Sequence, residues 1–211
     1  MLLTLEEIIN ATGGECLQKN HSLISGELHQ DSRVVKEGDC FICIKGEKLD
    51  GHSFIQAVDE KNISLIIGSD KEALSKAVSA STILVADIQD AVHKIANAVR
   101  RKVKIPVITI TGASGKTTTK DLLVSILSQE KKVLSTPLNN NNLWGVPLTL
   151  VNLSLDHEVV VLETGTNAEG EVRKLTEICE PTHTYTTSIA ESHLEFFKDI
   201  HGVLRGETEQ Y

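Results

Sequence analysis

The sequence lacks long apolar runs: nothing approaches 18 consecutive apolar residues, so no membrane span is expected. The first residues, MLLTLEEIIN, include glutamates and have no basic segment, which excludes an ordinary secretory signal. There is no long basic run either, and the formal net charge is −8. Nucleic acid is therefore disfavoured as the main ligand. The 211 residues, 40% of them hydrophobic, are ordinary for a globular protein of one or two domains.

Cysteine is also scarce. Without a secretory signal, the four thiols are expected to be reduced and the protein to be cytoplasmic. Cys40 and Cys43 form a C-x-x-C within an apolar segment that is typical of a strand, where side chains three residues apart point to opposite faces. This pattern favours buried apolar residues over a zinc or redox site.

The most informative stretch is residues 104–128, KIPVITITGASGKTTTKDLLVSILS. A β-branched run, a glycine-bounded turn and apolar positions at helical spacing predict a strand, a tight loop and a helix N-terminus, which together form an anion site. The helical apolar positions are Leu122, Leu123, Ile126 and Leu127.

The loop is a shortened Walker A motif, since Ile110 stands where the full motif has its first glycine. The predicted nucleotide-binding residues are Gly112, Ala113, Ser114, Gly115, Lys116, Thr117 and Thr118. Lys116 can reach the terminal phosphates of ATP, and the Thr117 hydroxyl can bind Mg²⁺. The alternative is a glycine turn that caps an ordinary strand–helix unit.

The order of elements predicts two α/β domains, residues 1–103 and 104–211, the second with a doubly wound parallel sheet. The basic run RRKVK at residues 100–104 joins them and is interpreted as a solvated helix end. Ligands of such sheets bind at the carboxyl ends of the strands. Gly112, Glu163 and His193 all fall at predicted strand ends, which makes Glu163 a candidate magnesium ligand and His193 a weaker one.

Several motifs in a fixed order resemble the Mur ligase family: TGASGKTTTK, TPLNNNNLWGVPLTL, ETGTNAEGE and SHLE. The stretch DSRVVKEGDCFICIKGEKLDGHSF is similar to the MurF type, and the resemblance covers essentially the whole chain. It implies a ligase of peptidoglycan synthesis that adds D-alanyl-D-alanine to UDP-MurNAc-tripeptide. ATP would convert the terminal carboxylate of the tripeptide to an acyl phosphate, which the incoming amine attacks.

The resemblance also implies roles for particular residues. Thr117, Glu163 and His193 would serve the magnesium sites, and Asn139 and Asn142 match an asparagine loop near the reacting groups. The residues that would hold the UDP-sugar in the first domain are Asp31, Ser32, Arg33, Lys45, Gly46, Asp50, Gly51 and His52. Arg33 also fits a diphosphate on physical grounds, through forked charge-assisted hydrogen bonds, the alternative being a surface arginine beside Asp31.

The sequence departs from the family pattern at Ser114, Leu143 and the segment SIAES before His193. Most notably, Glu207 stands where the family carries a carbamylated lysine. The catalytic set is thus predicted as Lys116, Glu163, His193 and Glu207. One hypothesis is that the Glu207 carboxylate replaces the carbamate, so that magnesium binding needs no bicarbonate. The other is that the second metal site has decayed.

The family's third, amino-acid-binding domain is not expected within these residues. Either the chain is a fragment whose isolated activity would be incomplete, or the natural protein has lost ligation. Two other functions stay open at this point: a non-catalytic module that binds nucleotide or UDP-sugar, and a related ligase with another acceptor.

Overall fold

The computed structural model describes residues 1–24, 26–138, 140–166, 168–191 and 194–211. Within it the chain divides into two compact units, Met1–Val99 and Arg100–Tyr211. Among the described residues, no helix is both long enough and apolar enough to cross a membrane.

The first unit is built on a five-stranded sheet with the order β1-β5-β4-β3-β2. Its strands are β1 (Glu15–Gln18), β2 (Leu28–His29), β3 (Cys40–Ile42), β4 (Leu65–Gly68) and β5 (Ser81–Leu84). All neighbours are parallel except β1, which is antiparallel to β5. β3 and β4 are buried along their whole length, which explains their unbroken apolar sequences.

Short helices complete the first unit: α1 (Leu5–Thr12), a 3-10 turn (Gly51–Phe54), α2 (Ile55–Asp59), α3 (Lys71–Leu74) and α4 (Ile88–Arg101). Thr4 followed three residues later by Glu7 predicts a capping box, and α1 has one, because Thr4 and Glu7 bond each other's amides. The sequence of residues 70–78 predicts a single helix, whereas α3 ends at Leu74. The buried Asp59 carboxylate accepts the amides of Val78, Ser79 and Ala80, which holds that segment out of a helix.

The interpretation of Cys40 and Cys43 as apolar core residues is confirmed. Both thiols are free and fully buried. Burial raises the pKa of Cys40 to about 12 and that of Cys43 further still. Neither thiol is therefore a thiolate at neutral pH, which removes the form that binds metal or attacks a disulfide.

The second unit has a four-stranded sheet with the order β7-β8-β6-β9, and every pair is parallel. Its strands are β6 (Val107–Thr111), β7 (Val133–Ser135), β8 (Val159–Glu163) and β9 (His183–Thr186). Its helices are α5 (Lys116–Leu127), α6 (Gly145–Val151), α7 (Glu171–Cys179), α8 (Leu194–Phe197) and α9 (Ile200–Glu207). The predicted α/β class with parallel sheets is confirmed.

Helix α5 packs on this sheet with a different face from the one predicted. Leu123 and Leu127 contact the core around Ile110 and Val161, as expected. Leu122 and Ile126, however, are exposed. Lys120, one turn before Leu123, is buried instead and is 4% exposed. The buried face of α5 therefore includes a charged residue, which apolar periodicity does not predict.

The interpretation of residues 100–104 as a solvated helix end is wrong for Arg100, which is buried. Its guanidinium donates to the carbonyls of Cys179, Glu180 and Val103. These carbonyls lie at the end of α7 and in the segment before β6, so Arg100 satisfies buried acceptors rather than facing water.

Candidate functional site

The glycine loop joins β6 to α5, as the motif predicted. Gly112 has φ +127° and Gly115 φ +80°, both in the region that favours glycine. At Gly112 a Cβ would lie 2.2 Å from the Thr187 hydroxyl, so no larger residue fits, whereas a Cβ at Gly115 would meet open space. The loop therefore leaves its strand through a tightly enclosed glycine and enters its helix through an open one.

The first amides of the loop are already bonded inside the protein. The Gly112 amide donates to the Glu207 carboxylate at 2.8 Å, and the Ala113 amide to the Ser188 carbonyl at 2.9 Å. The Ser114 amide donates to the Ser188 hydroxyl at 3.1 Å. The backbone N–H groups of these three predicted nucleotide-binding residues are thus used in hydrogen bonds within the protein.

The next residues, Lys116, Thr117 and Thr118, form the first turn of α5. First-turn amides have no acceptor within a helix, and the helix dipole makes this end attractive to anions. Thr117 and Thr118 are exposed. The Lys116 ammonium folds back on the Gly112 carbonyl at 2.5 Å, so the cation lies over the loop. This arrangement can bind a phosphate through the helix N-terminus and one ammonium group.

Glu163 ends β8 directly beside this loop, because the register pairs it with Ile110 of β6. Its carboxylate is 2% exposed. Oε1 accepts from the Asn141 amide at 2.8 Å, while Oε2 is buried and has no partner among the described residues. A buried carboxylate oxygen without a donor is costly. A bound cation would satisfy it, and a carboxylate oxygen suits Mg²⁺. The Thr117 hydroxyl, exposed on the first turn of α5, is the predicted second oxygen ligand.

Two residues of the asparagine loop, Asn141 and Asn142, make structural hydrogen bonds. Asn142 accepts the amides of Trp144 and Gly145 and so starts α6, which the sequence did not predict. Asn141 contacts Glu163, a role that was also not predicted. The predicted substrate residue Asn139 lies outside the described residues, as does the predicted metal ligand His193. Within the described part of the chain, no three His, Cys, Asp or Glu side chains cluster as a metal site.

Glu207 lies at the base of the loop, from α9. Its carboxylate is 2% exposed and accepts both the Thr111 hydroxyl and the Gly112 amide. Through these contacts Glu207 supports the start of the glycine loop. The hypothesis that it supplies the charge of a carbamate at a metal stays a prediction.

Lys120 is a further residue of this site that the sequence did not reveal. Its ammonium donates to the Thr136 carbonyl at 3.0 Å and pairs with Asp121 at 3.2 Å. The Thr136 hydroxyl in turn accepts the Glu163 amide at 2.9 Å. The spacing of four residues from Lys116, on the face of Leu123 and Leu127, is a signal that could have placed Lys120 inward.

The first unit carries a separate cleft of about 360 Å³. It is lined by Asp31, Ser32, Arg33, Leu49, Gly51 and Phe54, among others. Arg33 is highly exposed and binds Asp31 in a fork, with Nη2 at 2.6 Å and Nε at 2.9 Å. This pairing lowers the pKa of Asp31 to about 2. Arg33 lines this cleft and keeps N–H donors beyond those that Asp31 accepts, which could bond a diphosphate.

The other predicted UDP-sugar residues lie beside the cleft rather than on its lining. Lys45 and Gly46 are exposed on a loop that a bridge between Lys45 and Asp50 closes. The imidazole of His52 makes internal contacts, and its predicted contact with a ligand stays a prediction. Its ring is bonded to Asp50 at 2.6 Å through Nδ1, and Nε2 accepts the amides of Ser69 and Asp70. Both ring nitrogens are thus used to hold two loops together.

A parallel sheet with a glycine loop and a strand-end carboxylate at the same edge is the arrangement of a phosphate-binding α/β domain, and comparison with known families specifies its class. The Mur ligase middle domain matches residues 110–209, and the catalytic domain of the Mur ligase family matches residues 27–114. The chain belongs to the Mur ligase family, which confirms the resemblance seen in its motifs.

Within the family, relatives that are 30% or more identical to the chain include ligases of the MurF type. The UDP-N-acetylmuramoyl-tripeptide–D-alanyl-D-alanine ligase of Synechocystis sp. is 38% identical over 165 residues, which are 78% of this chain and 36% of that protein. The crystal structure of MurF from Acinetobacter baumannii superposes with a TM-score of 0.85 at 32% identity, covering 99% of this chain and 46% of that one. MurF from Thermotoga maritima, solved in complex with ADP, gives a TM-score of 0.78 at 30% identity over 90% of this chain and 44% of that one. The chain thus spans less than half the length of these relatives.

Proposed function

We propose that these residues form the UDP-sugar-binding and nucleotide-binding parts of an ATP-dependent amide ligase. The complete enzyme would add D-alanyl-D-alanine to UDP-MurNAc-tripeptide in the cytoplasm through an acyl phosphate. The observation that carries the proposal is the pairing of a helix N-terminus suited to an anion with a buried carboxylate oxygen that no donor of the described residues contacts. The ADP bound to the Thermotoga maritima relative supports the same assignment.

In this proposal each residue has a limited task. The amides of Lys116, Thr117 and Thr118 and the Lys116 ammonium orient the triphosphate and offset its charge. Glu163 and the Thr117 hydroxyl would hold Mg²⁺, together with His193. The metal, when bound, neutralises charge that develops on the phosphates during transfer.

The first unit would hold the UDP moiety in the cleft beside Arg33. The guanidinium keeps Asp31 as its partner and still presents further N–H donors to a diphosphate.

The test is isothermal titration calorimetry of the 211-residue chain with Mg²⁺ and a non-hydrolysable ATP analogue, and separately with UDP-MurNAc-tripeptide. We expect both to bind. The variant Lys116→Ala should weaken analogue binding by about a hundredfold, the loss of a charge-assisted contact to phosphate. Lys131→Ala, which removes an exposed lysine beyond the far end of α5, should leave it unchanged.

Phosphate release that depends on both substrates, measured on the longest natural form of the protein, then tests ligation itself. Binding without such turnover would favour the non-catalytic module. Absence of binding by either ligand to the folded chain would overturn the proposal.

A further inference from the structure

Glu163 is held in one orientation by its neighbours. Its backbone amide donates to the Thr136 hydroxyl at 2.9 Å, and its Oε1 accepts from the Asn141 side-chain amide at 2.8 Å. Because a carboxylate only accepts hydrogen bonds, the nitrogen of that amide must be the atom facing it. The carboxylate therefore cannot rotate without losing a buried bond.

Asn141 is itself fixed from the other side. The Gly165 backbone amide donates to the backbone carbonyl of Asn141 at 2.7 Å. A Cβ at Gly165 would come within 2.9 Å of the Asn141 side-chain amide, so a larger residue there would displace that amide. The chain has thus placed a fixed donor against one oxygen of Glu163.

The two oxygens of the Glu163 carboxylate therefore have different surroundings. One oxygen is satisfied by Asn141, while Oε2 has no partner among the described residues and is buried. Leaving a buried carboxylate oxygen unpaired is unfavourable unless a ligand completes it. Outer-shell donors of this kind orient metal-binding carboxylates and set their affinity.

We propose that Asn141 is a positioning residue that presents Oε2 of Glu163 to the divalent cation accompanying the nucleotide. The inference rests on the proposed function and adds a residue to it: Asn141 contacts neither nucleotide nor cation and acts through Glu163. Its neighbour Asn140 offers a matched control, since its side chain is exposed in the same loop.

The test uses the 211-residue chain, Mn²⁺ and ADP. Electron paramagnetic resonance of free Mn²⁺ gives the cation affinity in the presence of ADP, and calorimetry in EDTA gives the affinity for ADP alone. Asn141→Ala should weaken Mn²⁺ binding by about tenfold, in the range seen when outer-shell partners of metal ligands are removed. The affinity for ADP without cation should stay as in the wild type, and Asn140→Ala should change neither quantity.

A second variant separates this role from general loss of structure. Gly165→Ala keeps Asn141 but displaces its side-chain amide, so it should reproduce the selective loss of Mn²⁺ affinity. Equal losses of ADP and Mn²⁺ affinity in both variants, or unchanged Mn²⁺ affinity in Asn141→Ala, would overturn the inference while the proposed function stands. A wild-type chain that binds no Mn²⁺ with ADP would overturn both.

Discussion

The phosphate loop of the second unit and the cleft of the first unit are held in contrasting ways. The loop depends on residues far along the chain, with Ser188 and Glu207 bonding the amides of Gly112, Ala113 and Ser114. In the cleft the key pair is local, since Arg33 binds Asp31 only two residues away. The loop is thus part of the tertiary core, whereas the charged edge of the cleft is a surface feature.

This difference implies different sensitivities to substitution. A change at the loop's supports removes hydrogen bonds from buried groups and should lower both stability and nucleotide affinity. A change at Arg33 removes an exposed charge and should lower ligand affinity alone, because exposed ion pairs contribute little to folding.

The largest effect is expected for Gly112→Ala. The new Cβ would meet the Thr187 hydroxyl at 2.2 Å and would force alanine into φ +127°. We expect a loss of about 3 kcal/mol in the free energy of unfolding, from overpacking and backbone strain together. Urea denaturation measures it.

Gly115→Ala is the matched control for that substitution, since φ is also positive but the new Cβ meets nothing within 4 Å. Strain alone should cost about 1 kcal/mol. Equal costs at the two glycines would show that the base of the loop is not enclosed as described.

Glu207→Ala should come next, at about 2 kcal/mol of unfolding free energy, because it leaves the buried Thr111 hydroxyl and Gly112 amide without an acceptor. Glu207→Gln keeps one acceptor oxygen and should cost less. Glu130→Ala, at an exposed glutamate, should stay within about 0.5 kcal/mol of the wild type. A Glu207→Ala variant as stable as Glu130→Ala would contradict the role of α9 as the loop's support.

In the first unit, Arg33→Ala should leave the unfolding free energy within about 0.5 kcal/mol of the wild-type value. It should weaken UDP-MurNAc-tripeptide binding by about tenfold, as expected for a charge-assisted contact to a diphosphate. Lys36→Ala, an exposed cation three residues further on, is the control. If Arg33→Ala destabilised the chain as much as Glu207→Ala, the contrast between the two regions would fail.

The smallest effect is a titration. The Asp31 pKa is lowered to about 2 from 3.8, chiefly by the side-chain hydrogen bonds from Arg33. Because the folded-state pKa is the lower one, the pair contributes fully above 3.8 and loses its contribution as pH falls towards 2. Because this exposed pair is screened by solvent, carboxyl ¹³C shifts of Asp31 should show a midpoint below 3.8 that Arg33→Ala moves back towards 3.8. An unchanged midpoint in the variant would assign the shift to another cause.

The sequence predicted the elements that local pattern specifies. The β-branched run before Gly112, the lysine and threonines after Gly115 and the capping box at Thr4 each define their structure within a few residues, and the structure contains the strand, the loop and the helix starts accordingly. The position of Glu163 beside the loop also followed, because parallel strands end at the same edge.

What the sequence did not reveal depends on long-range partners. In the sequence, Asn141 cannot be distinguished from the neighbouring asparagines, because its contact with Glu163 of β8 forms only in the folded chain. Arg100 and Lys120 have the sequence context of solvated cations. In the fold, however, Arg100 donates to the Cys179 carbonyl and Lys120 to the Thr136 carbonyl. His52 was assigned to ligand binding because the motif includes it, yet the amides of Ser69 and Asp70 occupy its ring. In each case the role of a polar side chain is set by a contact made only on folding.

The central claim is that the helix α5 N-terminus, and not the first amides of the glycine loop, binds the nucleotide phosphates. Amide ¹H–¹⁵N spectra of the chain titrated with Mg²⁺ and ADP test it directly. The account predicts large shifts for the amides of Lys116, Thr117 and Thr118, with the Gly112 and Ala113 amides keeping the downfield positions of bonded groups. Shifts confined to Gly112 and Ala113, or no shifts anywhere in residues 112–118, would contradict it.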